Sequence, residues 1–203
     1  MISNNDLINY LINTDAIKSS NIIDAFVNID RVDFVCDPTV SDVYADYPLQ
    51  IGLGQTISQP TTVAMMLEML QPKRGQKILD IGSGSAWTTA LLAFIVGEEG
   101  SVRGVERVSE LVEFGNNNLK KYSFKNAKII QAGDGLGIVG EKFDRILVSA
   151  AAEEFPDELT KQLKIGGKLV VPVRNSIFEI RKKESGEIEG KEHYGFTFVP
   201  LIF

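Results

Sequence analysis

Residues Lys77 to Trp87, "KILDIGSGSAW", decide how this chain folds. Ile78, Leu79 and Ile81 belong to a short apolar strand, and Gly82 and Gly84 follow it directly. Beyond them "TTALLAFIVG", Thr88 to Gly97, reads as a helix stopped by its glycine. A strand that turns through glycines into a helix lets backbone approach a ligand closely and aims helix N–H groups at it. The turn is not a dinucleotide fingerprint, because the sixth place of G-x-G-x-x-G is taken by the bulky Trp87. It is not a P-loop either, since no G-x-x-x-x-G-K-[ST] occurs. A Gly-rich turn is also a common strand-to-helix connection, so the neighbouring segments have to decide.

On the C-terminal side the alternation continues. "SVRGVE", "AKIIQA", "FDRILVSA" and "GGKLVVPV" read as strands, with helices in "ELVEFGNNNLKKY" and "FPDELTKQL" between them. Repeated strand–helix–strand units with right-handed crossovers predict an α/β fold, a doubly wound, mostly parallel sheet covered by helices on both faces. The tail from Phe178 has two β-rich runs around a polar, Gly-containing turn and predicts an antiparallel hairpin. On the N-terminal side, Leu7, Ile8 and Leu11 share one helix face, as do Ile22, Ile23, Phe26 and Val27. These two helices predict an N-terminal cover, followed by a loop from Asp37 to Gly54. The expected organisation is a single domain over 1–203, with residues 1–58 as helical addition and substrate loop and 59–203 as the α/β core.

Composition narrows the functions. With 44% apolar and 24% charged residues, the chain is neither disordered nor collagen-like. No apolar run nears the roughly 20 residues of a membrane helix, and the polar N-terminus is unlike a signal peptide, so a cytoplasmic protein without membrane contact is expected. A net charge of −6 has the wrong sign for phosphate contacts and argues against a nucleic-acid partner. Cys36 and His193 are each the only residue of their kind, which leaves no disulfide framework and predicts no metal site.

In such sheets ligands bind beyond the carboxyl ends of the strands, where strand order reverses. The residues there are telling. Glu106 closes the second core strand about 20 residues past the glycines, where a carboxylate can accept from two ribose hydroxyls. The third ends near Gly133-Asp134-Gly135, a further carboxylate between flexible residues. Each acid taken alone could be a solvated surface charge. Together they favour a nucleoside cofactor without a large phosphate group, a description S-adenosylmethionine fits.

A second stretch, "GLGQTISQP" (Gly52 to Pro60), raises its own question. Ser58 stands where an N-cap would be, ahead of Pro60 and the helical spacing of Val63, Met66, Leu67 and Leu70. Its hydroxyl could equally hold a substrate.

The motifs "ILDIGSGSA", "GVER" and "AGDG" resemble the successive cofactor motifs of class I S-adenosylmethionine-dependent methyltransferases. More narrowly, "YADYPLQIGLGQTISQP", "VAMMLEML", "FDRILVSAAAEEFPDEL", "LKIGGKLVVPV" and "FVPL" resemble the protein-L-isoaspartate O-methyltransferase family, from about Arg31 to the C-terminus. The resemblance implies methyl transfer to the free α-carboxylate of L-isoaspartyl residues in damaged proteins and peptides, followed by closure to a succinimide. Carried over residue by residue, it implies Ser58 as the catalytic residue, with Asp46, Gln55 and Thr56 beside it at the substrate. Cofactor contacts fall to Asp80, Gly82, Ser83, Gly84, Glu106, Asp134 and Gly135, although Asp46 could simply form a turn and Asp80 could simply brace the glycine loop. A monomer is expected.

The chain departs from that family in three places. Leu53 and Thr61 stand where histidines are common, and Ala86 stands for the last glycine of the turn. The alternatives are a class I methyltransferase for another carboxylate or small-molecule acceptor, and a non-catalytic S-adenosylmethionine-binding module. The chemistry itself needs few special residues. A carboxylate with a pKa of about 4 is already a nucleophile at neutral pH, and alignment supplies the rest.

Overall fold

The strand Lys77–Ile81 has no exposed residue, and a strand buried on both faces has to sit inside a covered sheet. The computed structural model describes residues 1–202. Phe203, the last residue of the tail, lies outside the described residues. In chain order the elements are α1 (Asn4–Asn13), α2 (Ser20–Asn28), a 3₁₀ turn (Arg31–Phe34), β1 (Leu49–Gly52), β2 (Gln55–Ile57) and α3 (Pro60–Leu70). Then come β3 (Lys77–Ile81), α4 (Trp87–Val96), β4 (Ser101–Glu106), α5 (Ser109–Lys120) and β5 (Ala127–Gln131). The chain continues with β6 (Phe143–Val148), α6 (Asp157–Lys161), β7 (Leu163–Val173), β8 (Ser176–Lys182) and β9 (Ile188–Tyr194).

The main sheet has seven strands in the order β5-β4-β3-β6-β7-β8-β9. Pairings from β5 to β7 are parallel, and β8 and β9 join antiparallel, as the hairpin reading predicted. The chain runs outward one way from β3 through β4 to β5, then returns to place β6 on the other side of β3. That reversal sets the crevice at the C-terminal ends of β3 and β6.

Strand alternation divides the core in two. Ile78, Val102, Ile129, Leu147 and Val170 pack on one face beneath α1 to α5. Leu79, Ile81, Val105, Ile146, Val148, Leu169 and Val171 pack on the other. Helical cover was expected on both faces, and the structure distributes it unequally. The second face has only the five-residue α6 and the irregular segment 132–142. Gly133, Gly135, Gly137 and Gly140 crowd that connection, and glycine opposes helix propagation at about 1 kcal/mol each. Gln162 braces it instead, donating to the Leu136 carbonyl at 2.8 Å and accepting from the Ile138 N–H at 2.9 Å.

α4 is apolar on every side and nine of its ten residues are buried. A helix of that kind has to be sandwiched. The sheet lies on one side, and Phe26 of α2 meets the Trp87 ring edge-on at 5.6 Å on the other. The N-terminal helices are therefore part of the main core, which runs without a break from Leu7 to Ile177.

The expected loop from Asp37 to Gly54 also holds regular structure. β1 and β2 form a two-stranded antiparallel ribbon pairing Leu49 with Ile57 and Gln50 with Thr56. The turn Gly52-Leu53-Gly54 has three consecutive positive φ values, which two glycines tolerate and Leu53 does not share easily.

α5 settles the height of the glycine turn. Asn118 donates to the Ser85 carbonyl at 3.0 Å, and Gly115 leaves no room for a side chain. A Cβ there would sit 2.9 Å from the Gly84 carbonyl oxygen and also press on Ile129. Gly115→Ala is therefore expected to destabilise the fold by about 1–3 kcal/mol, as overpacking does. Urea midpoints of the two proteins would check this, and an unchanged midpoint would mean that α5 yields without cost.

Candidate functional site

The C-terminal ends of β3, β4 and β6 open into a cleft roofed by β2 and by the tail residues Val199 to Ile202. Gln55, Thr56, Ser58, Gly82, Ser83, Gly84, Glu106 and Gly135 all line it, so most of the residues singled out in sequence meet in one place. Asp46 and Asp134 are not on its wall, and Asp80 lies buried beneath the glycine turn.

β3 delivers the turn. Gly82 has φ +77°, and the N–H groups of Gly82 and Ser83 both donate to the Val105 carbonyl, at 2.8 and 3.2 Å. The Ser83 hydroxyl donates to the Asp80 carbonyl at 3.0 Å and fits because β4 carries Gly104, where a Cβ would collide with it. Ala86 enters α4 with φ +75°, taking up the left-handed geometry that the missing glycine would supply without strain.

Glu106 is nearly buried and ties the turn to β4. Its Oε2 accepts from the Gly84 N–H at 3.0 Å and its Oε1 from the Val108 N–H at 2.9 Å. A carboxylate has about four acceptor sites. Two therefore stay open toward the cleft that Glu106 lines.

Asp80 lies below, fully buried. Its Oδ2 accepts from the hydroxyls of Thr88 and Thr89 at 2.8 and 2.6 Å, whereas its Oδ1 has no partner. Burial raises its pKa to about 6, against the two threonine hydrogen bonds, which lower it, and with a smaller push from Glu106. The other buried polar atom of this wall without a partner is the Trp87 indole Nε1. An unpaired acceptor and an unpaired donor thus flank the first turn of α4.

At the opposite end the structure decides which residue caps α3. Ser58 does not cap α3. Gln59 holds the cap position, without a side-chain hydrogen bond to the helix backbone. The acceptor comes from Asp46, whose Oδ1 takes the Thr61 N–H at 2.8 Å and whose Oδ2 takes the Thr61 hydroxyl at 2.8 Å. Gln59 Nε2 and the Tyr10 hydroxyl donate to the same Oδ2, at 3.1 and 3.3 Å. Asp46 is thus a helix-capping residue standing outside the cleft, its acceptor capacity spent on α1 and α3. Thr61 therefore serves Asp46, and Leu53 sits exposed at the ribbon tip.

Relieved of capping, Ser58 is half-buried on the cleft wall, and among the described residues its hydroxyl has no hydrogen-bond partner. Asp134 stands apart from the wall. It is exposed on the segment after β5, while Gly135, Leu136 and Gly137 form the wall in its stead. Sequence reasoning missed the wall contributed by Trp87, Thr88, Ser149 and Ala150. It also missed the tail, which is held by the Ala151 N–H donating to the Val199 carbonyl and the Leu201 N–H donating to the Ala151 carbonyl, both at 2.8 Å. "FVPL" gave no chemical signal, because it docks through these backbone bonds and the apolar packing of Phe198 and Leu201, with no polar side chain.

Asp80 gives the site a testable electrostatic signature. A carboxyl with a folded pKa of about 6 keeps its proton longer in the native state than in the unfolded chain. Its contribution is most favourable below about pH 4 and is lost as pH rises through 6, by roughly 3 kcal/mol in total. The stability of Asp80→Asn relative to the natural protein is therefore expected to increase between pH 4 and pH 7. Urea unfolding across that range would measure it, and a difference independent of pH would place the charge elsewhere.

The model of the protein-L-isoaspartate(D-aspartate) O-methyltransferase family matches residues 2–202. The protein-L-isoaspartate O-methyltransferases of Methanopyrus kandleri and Pyrococcus abyssi are each 42% identical to the chain, over 192 and 193 residues. Those matches span 92% of this chain and 85% and 88% of the respective relatives. Among solved structures, a crystal structure from Plasmodium falciparum, described as a protein-L-isoaspartate O-methyltransferase in complex with S-adenosyl-L-homocysteine, superposes with a TM-score of 0.87. It is 28% identical, and the alignment covers 98% of both chains.

Proposed function

Because the chain belongs to the protein-L-isoaspartate(D-aspartate) O-methyltransferase family, we infer that it methylates the free α-carboxylate of L-isoaspartyl residues, using S-adenosylmethionine. The observation that carries the reading to particular residues is the cleft itself. It has unpaired acceptor capacity at one end and an unpartnered serine hydroxyl at the other.

The residues present fit the cofactor. Glu106 has two acceptor sites left for the two ribose hydroxyls, and Gly82 and Gly84 present bare backbone to the ligand. Asp80, 0% exposed and off the cleft wall, would serve the cofactor from beneath, bracing the turn through Thr88 and Thr89 and placing a carboxylate under the ligand's positive charge. Ser83 and Gly135 complete the wall, and Asp134, the residue before Gly135, would accept from the adenine amino group. When bound, S-adenosylmethionine supplies a sulfonium methyl, whose carbon bonds to a substrate carboxylate oxygen as the carbon–sulfur bond breaks. Ser58 donates its hydroxyl to the other carboxylate oxygen and orients the attacking one. Gln55 and Thr56 hold the polypeptide along β2. No general base takes part, since the carboxylate arrives ionised. The next backbone nitrogen then attacks the ester carbonyl carbon, methanol leaves with that nitrogen's proton, and water opens the resulting succinimide to aspartate or isoaspartate.

This reading carries a wider picture. The chain works as one domain, with residues 1–58 as cover and substrate ribbon and 59–203 as the cofactor core, supported by the continuous core between them. Its partners are isoaspartyl polypeptides rather than nucleic acid, in keeping with the net charge of −6. A cytoplasmic monomer fits a chain in which no described helix is long and apolar enough to cross a membrane.

Methyl transfer from labelled S-adenosylmethionine is expected to an isoaspartyl peptide and not to its aspartyl twin. Transfer to neither, with the cofactor bound, would leave the fold and remove the substrate. Ser58→Ala should keep cofactor affinity within about threefold and cut turnover at least about tenfold, or 1.4 kcal/mol of barrier. Undiminished turnover would end the catalytic role of Ser58.

A further inference from the structure

Arg31 begins the 3₁₀ turn after α2, and its side chain is fully buried. No carboxylate lies within ion-pair distance of it among the described residues. Its guanidinium spends its donors on three backbone carbonyls instead. Nε donates to Val43 at 2.9 Å, Nη1 to Ser58 at 2.8 Å and Nη2 to Tyr47 at 3.3 Å. Its flat face rests 4.6 Å from the centre of the Trp87 ring. Burial pulls its pKa down to about 9, and the charge of Asp46 opposes that.

A buried cation without a paired anion is costly, and an apolar side chain of similar length would fill the space at less expense. Such a charge needs a reason. The three carbonyls come from the loop before β1 and from the β2–α3 junction, stretches where irregular backbone has no ladder to satisfy it. A planar fork can serve three such acceptors in fixed directions, which neither lysine nor an apolar residue can do. Two of the groups it fixes belong to cleft-lining residues, the Ser58 backbone and the Trp87 ring.

We propose that Arg31 is a positioning residue for methyl transfer, holding the backbone of Ser58 so that its hydroxyl faces the substrate carboxylate. Resting on the catalytic reading of Ser58, this adds how that hydroxyl is aimed. The cofactor end is tied independently, through Val105, Glu106 and Asn118. Loss of Arg31 therefore spares cofactor binding and lowers turnover. Loss of both Arg31 and the Ser58 hydroxyl costs little more than loss of the hydroxyl alone.

The test is a double-mutant cycle on methyl transfer to an isoaspartyl peptide, with Arg31→Lys, Arg31→Met, Ser58→Ala and the two combinations. S-adenosylhomocysteine affinity is read in parallel from the emission of Trp87, the only tryptophan in the chain. Expected are a fall in kcat of at least tenfold for Arg31→Met and partial recovery in Arg31→Lys. Affinity should stay within threefold, and neither Arg31 substitution should lower kcat more than threefold once Ser58 is alanine. Additive losses, an undiminished kcat, or affinity falling in step with turnover would each overturn the proposal. Failure of both Arg31 variants to fold would also overturn it, making the residue a structural one. Inactivity of the natural protein on the peptide would overturn the isoaspartyl reading as well, and an undiminished Ser58→Ala would leave Arg31 nothing to aim.

Discussion

The burial of α4 is the constraint on which the rest of the structure depends. A helix with no polar face has to be covered all round, so β3 must turn back tightly and the N-terminal helices must close the far side. The turn has room for this only because neighbouring elements give way. Gly104 admits the Ser83 side chain, Gly115 lets α5 reach the Gly84 carbonyl, and Asp80 takes the threonine hydroxyls of the first helical turn. Trp87 then faces Phe26 and Arg31 rather than the strand, so the bulk that ruled out a dinucleotide fingerprint contributes to the wall of the cleft.

The two ends of the cleft are built differently. The cofactor end rests on a rigid sheet, where Glu106 and the Val105 carbonyl hold the turn from the side. The substrate end is the segment between α2 and α3, whose irregular stretches are held by two of its own side chains. Asp46 gathers Thr61, Gln59 and Tyr10 around the start of α3, and Arg31 gathers three carbonyls beneath it. The far end of α3 is anchored in the same manner, with Arg145 donating to the Leu70 carbonyl and Lys168 to that of Met69. Positive groups at those last carbonyls also suit the helix dipole.

Much of this was legible in the sequence, for reasons that separate cleanly. Strands such as "KILDI" and helices such as "TTALLAFIVG" announce themselves by period and by punctuation, and the crevice then follows from topology. Glu106 and the glycines could be placed because their position at a strand end implies their direction. Asp46 and Ser58 could not be told apart that way. Both lie near a helix start, and which one supplies the cap depends on a loop folding back over α3, a long-range contact that no local pattern encodes. Arg31 was silent for the same reason. A lone arginine after a helix looks like solvated charge until Val43, Tyr47 and Ser58 are seen to converge on it. The ribbon of β1 and β2 was hidden by its turn, where Leu53 takes a geometry that favours glycine.

Charge links the two halves. Methyl transfer turns a carboxylate and a sulfonium into a neutral ester and a neutral thioether, so poorly screened surroundings favour it, provided that each ion can first be drawn in. The buried charges around this cleft are distributed to suit that task. Asp80 and Glu106 lie where the cationic partner would sit, and Arg31 lies behind Ser58, where the anionic one would. Attraction between unit charges is larger where water is excluded than in bulk solvent, so charges set behind a wall can still favour binding. On the substrate side it acts on the carboxylate and not on its ester. An arginine held behind the wall at Ser58 therefore belongs with the carboxylate side of the cleft and not with the cofactor side.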